Sequence, residues 1–418
     1  MNIELVTIGT ELLLGMTVDT NGAEISRTLA AHGVRVTRRT SVADHGDEIR
    51  DVVADALRRT GAVLTTGGLG PTRDDITKKV VADLFDAPLE FHETIWAGLV
   101  ARFARLDRKP SESNRSQAEV PRGATVLANR WGTAPGLWLE GPPGLVIMLP
   151  GVPLEMRRLL EHEVVPRLAS RGTGSVIRSL LVRTSGIPES SLAERMGDVE
   201  REIAPLTLAY LPGLEGVDLR LSAWDLAPDE AERRLHMAAG LLRSRGAENV
   251  YTEGDSDLAA LVLDEARSQG LRLAVAESCT GGLLGARITE VPGSSEVFVG
   301  GVIAYDDALK MDLLGVPETL LAEHGAVSEP VARAMAEGAA RRFGVPAAIS
   351  VTGVAGPGGG TPEKPVGTVW IGCSYNGTLE ARRSLFPGSR HEIRARAAQA
   401  ALFLLYRRLS AAPHPPAR

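Results

Sequence analysis

Short apolar runs recur along this chain, and each ends in glycine or small polar residues that lead into a helical pattern. Such runs are Ile3–Ile8, Ala62–Leu64, Leu145–Leu149 and Leu271–Ala276. Short strands separated by amphipathic helices predict a parallel sheet with helices on both faces, so the expected fold class is α/β. In such sheets ligands bind at the carboxyl ends of the strands, which makes the glycine-bearing loops the first candidates for chemistry.

The length of 418 residues indicates two or three domains, and two polar breaks divide the chain. Arg171–Gly174 ends a first α/β part, and Thr252–Asp255 precedes a second one. We therefore expect domains at 1–170, 174–251 and 255–411, the middle one being a small α+β unit. That unit contains no cluster of residues typical of catalysis, and we interpret it as a spacer or dimerisation module.

The composition is that of a soluble globular protein, with 44% hydrophobic and 23% charged residues. The net charge of −6 gives no electrostatic argument for nucleic-acid binding, and two cysteines are typical of a reducing compartment. The N-terminus lacks the basic lead-in of a signal peptide, and no apolar run reaches the roughly 18 residues of a membrane span. We expect a cytoplasmic protein without membrane contact or direct nucleic-acid binding. The tail Ala411–Arg418 is too rich in proline to continue the preceding helix.

The segment Ala276–Gly282 joins the end of an apolar strand to a helical pattern through two glycines. This arrangement puts Ser278 and the backbone N–H groups that follow it at a helix N-terminus, which favours anions and can stabilise an oxyanion. The alternative is a simple helix cap formed by Ser278 or Thr280. The spacing alone leaves both interpretations open.

Three further features of the C-terminal part are typical of a site for a phosphorylated ligand. Tyr305 lies at the end of a strand, and Lys310 follows it at a distance that lets both point to the same sheet edge. A desolvated lysine can act as a base for a serine hydroxyl. Ser350–Gly360 is rich in glycine after a buried strand, and Arg390 lies in a turn before the last helix. Together these residues indicate a hydrolase or a nucleotide binder.

Six ordered motifs resemble the CinA C-terminal family of nicotinamide-mononucleotide deamidases over Leu258–Leu409. They are AESCTGG, the Tyr305 and Lys310 pair, AVSEPV, TGVAGPGGG, KPVGT and FPGSR. The resemblance implies hydrolysis of the nicotinamide amide to nicotinic acid mononucleotide and ammonia, without a metal or other cofactor.

Carried over by position, the resemblance implies that Ser278 is the nucleophile, Lys310 its base and Tyr305 an assisting residue. Relatives commonly have asparagine where this chain has Asp307. If that position touches the substrate, its extra charge near a phosphate would weaken binding. The residues implied to bind the substrate are Thr280, Gly281, Thr352, Gly353, Gly356 and Arg390.

The N-terminal segment Leu64–Asp75 also joins a buried strand to a helix through glycines. Glycines next to a helix N-terminus form a phosphate cradle. Asp74 and Asp75 would repel a bare phosphate, so they fit best with a divalent cation between them and the ligand. The alternative is that both aspartates only cap the helix and complement its dipole.

GTELLLG, TNGAEIS, TTGGLGPTRDD and LPGVPLEM resemble the molybdopterin-binding (MoCF-like) domain, in the version fused to deamidases in full-length CinA proteins. The whole chain resembles that arrangement, with a three-layer α/β first domain and a KH-like middle domain. The resemblance implies an ADP-ribose pyrophosphatase that forms AMP and ribose 5-phosphate with Mg, Mn or Co held by Asp74 and Asp75. The other residues that it implies at this site are Glu11, Asn21, Gly67, Gly68, Gly70 and Thr72.

As a whole, the resemblance implies a homodimeric, bifunctional hydrolase of pyridine-nucleotide recycling with two small-molecule substrates. Two other interpretations of the N-terminal domain stay open. One is a transferase or binding module for molybdopterin, since the same fold serves molybdenum-cofactor synthesis. The other is a non-enzymatic regulatory module, which the family's link to competence and DNA damage favours.

Overall fold

The computed structural model describes residues 1–169, 171 and 176–411. Most of the predicted break at Arg171–Gly174 and the tail after Ala411 lie outside the described residues. Within the described ranges, no helix is both long and apolar enough to cross a membrane.

The chain forms two compact units, one of residues 1–178 with 222–234 and the other of residues 179–221 with 235–418. A six-stranded sheet lies in the first part of the chain, a four-stranded sheet in the middle and a five-stranded sheet in the last part. This mixture of sheets and helices confirms the predicted α/β fold class.

Strands and helices alternate in the N-terminal part. Its strands are β1 Asn2–Ile8, β2 Arg35–Val42, β3 Ala62–Thr66, β4 Leu89–Phe91, β5 Glu119–Pro121, β6 Thr125–Leu127, β7 Gly136–Gly141 and β8 Gly144–Leu149. Its helices are α1 Thr10–Leu13, α2 Thr20–Ala31, α3 Gly46–Thr60, α4 Thr77–Leu84, α5 Glu93–Ala104, α6 Pro153–Leu159 and α7 Val165–Ala169. A 3-10 segment, Glu112–Ala118, precedes β5, and a π-turn, Leu160–Val164, joins α6 to α7.

The six-stranded sheet has the order β2-β1-β3-β8-β7-β6. Its first four strands in this order are parallel, whereas β7 and β6 pair antiparallel, so the prediction of a wholly parallel sheet is wrong at this edge. The short turn between β7 and β8 explains the reversal, because a parallel neighbour needs a long crossover. The carboxyl ends of β1, β3 and β8 meet at one edge.

Helices cover both faces of this sheet, as in a three-layer α/β domain. In β8, Ile147 lies in one core with Ile25 and Leu29 of α2. The next residue, Met148, lies in a second core with Val53 of α3. Successive side chains of a strand point to opposite faces, so β8 contributes to both cores.

The middle part contains a sheet of order β10-β11-β9-β12. Its elements are β9 Val176–Thr184, α8 Glu189–Met196, α9 Val199–Glu202, β10 Thr207–Pro212, β11 Val217–Leu226, α10 Pro228–Gly246 and β12 Val250–Glu253. Strand β12 pairs antiparallel with β9 and includes Thr252 and Glu253. The predicted break at Thr252–Asp255 is therefore wrong in its first half, and the chain leaves the sheet only at Gly254, which has a positive φ of 85°.

The C-terminal sheet has the order β14-β13-β15-β16-β17, with its first three strands parallel and the last two antiparallel. The strands are β13 Leu273–Glu277, β14 Phe298–Ile303, β15 Ala347–Gly353, β16 Thr368–Tyr375 and β17 Thr378–Leu385. The helices are α11 Leu258–Ser268, α12 Leu283–Thr289, α13 Asp307–Leu314, α14 Glu318–His324, α15 Glu329–Phe343 and α16 Arg390–Ser410. One core contains α11, α12 and α16, and the other contains α13 and α15, so helices again cover both faces.

Candidate functional site

Ser278 lies at the carboxyl edge of the C-terminal sheet, in the turn that follows β13. Its backbone N–H donates to the carbonyl oxygen of Val351 in β15 at 2.9 Å, and its own carbonyl accepts from the N–H of Gly281 at 3.1 Å. The side chain is largely buried, with 8% of the residue exposed. Ser278 is thus held in a tight turn at the edge where ligands bind in sheets of this kind.

The N-terminus of α12 is filled by a side chain of the same motif. Glu277, the last residue of β13, is 1% exposed and accepts hydrogen bonds from three backbone N–H groups. The donors are Gly282 at 2.9 Å, Leu284 at 3.1 Å and Gly285 at 2.8 Å. Neither predicted side-chain cap forms. The N–H groups of the first turn of α12 are thus occupied by an internal carboxylate, whereas those of Cys279 and Thr280 precede it.

Lys310 is almost fully buried in α13, with 1% of the residue exposed. Its Nζ donates to Asp307 Oδ1 at 2.9 Å and to the carbonyl oxygen of Tyr305 at 3.3 Å. Within the described part of the chain, Lys310 makes no hydrogen bond to Ser278, so the predicted base and nucleophile are not directly joined. The Asp307 carboxylate is therefore the acidic partner of the Lys310 side chain.

Arg390 begins α16 and brings two distant segments together. Its Nη1 donates to the carbonyl oxygen of Gly356 at 2.7 Å, and its Nη2 donates to the Tyr305 hydroxyl at 2.8 Å. The N-terminus of α16 is closed by a reciprocal capping box of Ser389 and Glu392. The guanidinium, rather than the helix end, is therefore the group that can attract an anion at this position.

The remaining residues implied to bind substrate are held by the fold. Thr352 is buried and its hydroxyl donates to the carbonyl oxygen of Ala326 at 2.8 Å. At Gly353 a Cβ would lie 2.8 Å from the carbonyl oxygen of Thr368, so only glycine fits. Thr280 is fully buried, and its hydroxyl has no hydrogen-bond partner among the described residues.

Cys279 follows Ser278 directly but is not suited to act as a nucleophile. Burial raises the pKa of the Cys279 thiol to about 12, and burial raises the pKa of Cys373 to about 12 as well. Since the thiolate is the reactive form of cysteine, both side chains are inert near neutral pH. Of these two adjacent side chains, only the Ser278 hydroxyl is a candidate nucleophile.

At the carboxyl edge of the N-terminal sheet, the structure forms a cleft of about 350 Å³. A smaller cavity of about 130 Å³ adjoins it, shares Glu11 and Gly151 with it, and is lined by Asn21. Thr72 lines neither space, because its N–H and hydroxyl donate to the Asp75 carboxylate. The predicted residues that line the larger cleft are Glu11, Gly67, Gly68, Gly70, Asp74 and Asp75.

Two glycines let the loop after β3 pass close to its neighbours. Gly67 has a φ of 109°, and a Cβ there would lie 2.2 Å from the carbonyl oxygen of Ile8 in β1. Gly68 has a φ of 67°, and a Cβ would lie 2.0 Å from Thr77 Oγ1. Both positions need the conformational freedom and the missing side chain of glycine.

The larger cleft is strongly acidic. Its lining includes no lysine or arginine among the described residues, and its carboxylates are Glu11, Asp44, Asp74, Asp75 and Glu155. Within the described ranges, no group of three or more His, Cys, Asp or Glu side chains is arranged to hold a metal ion. Carboxylate oxygens nevertheless suit Mg²⁺, which proteins usually hold with one or two carboxylates together with substrate phosphates. The residues present therefore fit a cation that is completed by its substrate.

Family comparisons cover nearly the whole chain. Residues 4–170 match the probable molybdopterin binding domain, residues 179–252 the damage-inducible protein CinA KH domain, and residues 255–409 the CinA C-terminal domain. A CinA-like protein of Gemmatimonas aurantiaca is 54% identical over 97% of this chain and 96% of its own length. The chain belongs to the CinA-like protein family.

Two further comparisons cover most of this chain and part of it, respectively. A CinA-like protein of Salinibacter ruber is 43% identical over 92% of this chain and 94% of its own length. A solved structure of the competence damage-inducible protein A of Klebsiella pneumoniae is 36% identical and covers 37% of this chain and 97% of its own, with a TM-score of 0.37.

In this CinA-like chain, the sequence motifs did not reveal one wall of the N-terminal cleft. Gln117, Thr133 and Glu155 line that wall, and Gln117 Nε2 donates to the Thr133 hydroxyl at 3.2 Å. Asn129 Nδ2 donates to Glu155 Oε2 at 2.5 Å. Burial raises the pKa of Glu155 above its ordinary value, against the opposing effect of this hydrogen bond. The one signal available in the sequence is the glycine-bearing loop Gly132–Gly136 before β7.

Proposed function

We propose that the C-terminal site hydrolyses the amide of nicotinamide mononucleotide to nicotinic acid mononucleotide and ammonia. The observation that carries this proposal is the meeting of a serine, a buried lysine and an arginine–tyrosine pair at one sheet edge. Ser278 follows β13, Lys310 and Tyr305 follow the neighbouring β14, and Arg390 donates to the Tyr305 hydroxyl. These residues would supply the nucleophile, the proton acceptor and the phosphate anchor of an amidase for a mononucleotide.

In the proposed reaction, Ser278 Oγ attacks the amide carbon, and the carbonyl π pair moves to oxygen to form an oxyanion. The hydroxyl proton passes to Lys310 Nζ, either directly or through a water. Collapse of the intermediate breaks the C–N bond, and the leaving nitrogen takes this proton from Lys310 Nζ and departs as ammonia. Water then cleaves the acyl-serine ester by the same route and returns the proton to Ser278.

Ammonia release from nicotinamide mononucleotide tests this function. Ser278→Ala and Lys310→Ala should each reduce the rate by at least about a thousandfold, because nucleophile and base act as a unit. Ser268→Ala, which changes an exposed serine in α11, is the matched control and should keep the wild-type rate. Full activity in Ser278→Ala would rule out the proposed nucleophile, and a chelator should have no effect.

A second activity is favoured by the acidic cleft of the N-terminal domain. We propose that it hydrolyses ADP-ribose to AMP and ribose 5-phosphate with a divalent cation, Mg²⁺, Mn²⁺ or Co²⁺. A pyrophosphate would be repelled by a cleft lined with carboxylates and no cationic side chain, so its binding requires an added cation. Asp74 and Asp75 would hold the cation, which when bound would neutralise the phosphates and polarise the phosphorus centre.

A two-substrate assay with and without metal tests the second activity. A chelator or Asp75→Ala should stop ADP-ribose cleavage and leave ammonia release intact. Asp83→Ala, which removes an exposed carboxylate from the following helix α4, is the matched control. If ADP-ribose stays intact with each common divalent ion, the pyrophosphatase is wrong. A pterin found by mass spectrometry in the purified protein would then favour a molybdopterin-binding module.

We further propose that the middle domain is a structural module and that the protein acts on small molecules in the cytoplasm as a homodimer. KH domains clamp nucleic acid with a GXXG loop. The one such sequence in the middle domain, Gly213–Gly216, forms a β-turn here, and its Glu215 is ion-paired with Arg183 and Arg287. Fluorescence anisotropy with labelled RNA and DNA should detect no binding at physiological salt.

A further inference from the structure

The turn that carries Ser278 is fixed by contacts on both sides. The Ser278 N–H donates to the carbonyl oxygen of Val351, and the Gly281 N–H donates to the carbonyl oxygen of Ser278. The carbonyl of Thr280 accepts from Arg394 through Nε at 3.2 Å and Nη2 at 2.6 Å. These bonds hold the backbone of the turn at Ser278, Thr280 and Gly281.

Two backbone N–H groups of this turn remain available. Those of Cys279 and Thr280 have no carbonyl or carboxylate acceptor among the described residues. Successive N–H groups in a turn form a concave anion site, and the N–H of the residue after a nucleophile is a common oxyanion donor. Gly281 and Gly282, with φ of 58° and 95°, give the turn the left-handed conformation that it needs before α12.

The carboxylate of Glu277 determines which N–H groups stay available. It binds the N–H groups of Gly282, Leu284 and Gly285, so the N-terminus of α12 is closed to any other anion. Gly285 is part of this arrangement through its N–H group, which donates to Glu277 Oε1 at 2.8 Å. The carboxylate thus anchors α12 directly behind the turn of Ser278.

From these contacts we infer that Glu277 is a positioning residue for the amide hydrolysis, and that the N–H groups of Cys279 and Thr280 form the oxyanion hole. The inference rests on the proposed deamidase function. By capping α12 internally, Glu277 holds the turn in place and directs the developing negative charge to the two free N–H groups. Oxyanion donors act only in the transition state, so disturbing them lowers kcat more than it changes KM.

Glu277→Gln is the decisive variant, because it keeps the size of the side chain and replaces one carboxylate oxygen with an NH₂ group. The NH₂ group would face backbone N–H donors, with which it cannot form a hydrogen bond, and the repulsion would displace the turn. We expect kcat for nicotinamide mononucleotide to fall about 10- to 100-fold, with KM within about threefold of wild type. The matched control is Glu290→Gln, which removes an exposed carboxylate at the other end of α12 and should keep wild-type kinetics.

Native-state hydrogen exchange separates the inference from the proposed function. In Glu277→Gln, the amides of Gly282, Leu284 and Gly285 should lose at least about tenfold of their protection, while amides of β15 keep theirs. A wild-type kcat in this variant would overturn the inference and leave the deamidase intact. If the wild-type protein released no ammonia, the proposed deamidase function would be wrong. Unchanged amide protection in Glu277→Gln would, independently of that result, overturn the positioning role of Glu277. Loss of protection throughout the domain would also overturn it, since Glu277 would then serve stability alone.

Discussion

Lys78 offers a sharp test of how burial controls the stability of the N-terminal domain. It lies in α4 directly after the acidic loop of the cleft, is 6% exposed, and donates from Nζ to the carbonyl oxygen of Ser116. Burial lowers the pKa of Lys78 from 10.5 to about 8, and the carboxylates of Glu119 and Asp75 only partly oppose this. Replacing Lys78 by methionine keeps an unbranched side chain, shorter by one heavy atom, and removes the buried charge.

The direction of the effect follows from proton linkage. The unfolded chain keeps its proton on Lys78 up to about pH 10.5, whereas the folded chain releases it above about pH 8. Between these values the unfolded state binds more protons, so the free energy of unfolding rises with pH. The shift in the pKa of Lys78 changes the free energy of unfolding by ~3 kcal/mol over the whole titration. Of this, ~2 kcal/mol of stability is gained between about pH 7 and about pH 9.5.

At about pH 7, Lys78→Met should gain ~3 kcal/mol because no charge is desolvated, and it should lose ~1 kcal/mol because the hydrogen bond to Ser116 is missing. The variant should therefore be more stable than wild type. The net gain of ~2 kcal/mol should disappear at about pH 9.5. Urea unfolding followed by tryptophan fluorescence measures this, because most of the tryptophans lie in the N-terminal domain: Trp96, Trp131 and Trp138 of the five in the chain.

Lys79→Met is the matched control for this experiment, since Lys79 is the exposed neighbour in the same helix. The free energy of unfolding of Lys79→Met should depend on pH as that of the wild type does. The buried thiols of Cys279 and Cys373 act in the opposite direction, because their raised pKa makes the C-terminal domain less stable as the pH rises through about 9. The reasoning is refuted if the difference between wild type and Lys78→Met is the same at both pH values.

Three further predictions concern the C-terminal site. Arg390→Ala should raise KM for nicotinamide mononucleotide at least about tenfold with a smaller change in kcat, as expected for a lost phosphate anchor; an unchanged KM would argue against that role. Cys279→Ala should keep kcat within about threefold, because the buried thiol is neutral, and a loss of activity like that of Ser278→Ala would contradict this. Asp307→Asn should keep ammonia release within about tenfold of wild type, because the asparagine Oδ1 can still accept the hydrogen bond from Lys310 Nζ; a loss like that of Lys310→Ala would contradict this.

Local patterns were enough to predict the strands that carry the two sites. The apolar runs that became β1, β3, β8 and β13 are buried and continuous, so their conformation follows from their own composition. The edge strands β2 and β17 were not predicted. Their sequences, RVTRRTSV and TLEARRSL, contain several arginines and few buried residues, so they lack the continuous apolar run that marks a central strand.

The partners of the site residues were less predictable than the residues themselves. The glycines after β3 and β13 indicated where a turn must form, since only glycine tolerates the conformation. The same motif contained Glu277, and its role stayed hidden because a strand residue can point to either face of the sheet. The pairing of Arg390 with Tyr305 spans 85 residues, and no local pattern contains it.

The sequence by itself determined the α/β class, the resemblance to CinA proteins, and the position of Ser278 and of Asp74 and Asp75 in loops after buried strands. These follow from local residue preference and ordered motifs. Only the tertiary structure decided that Glu277 fills the N-terminus of α12, that Lys310 pairs with Asp307, and that Glu155 faces the acidic cleft. Each of these depends on the direction of a side chain and on what packs against it, and both are set by contacts between segments distant in the chain.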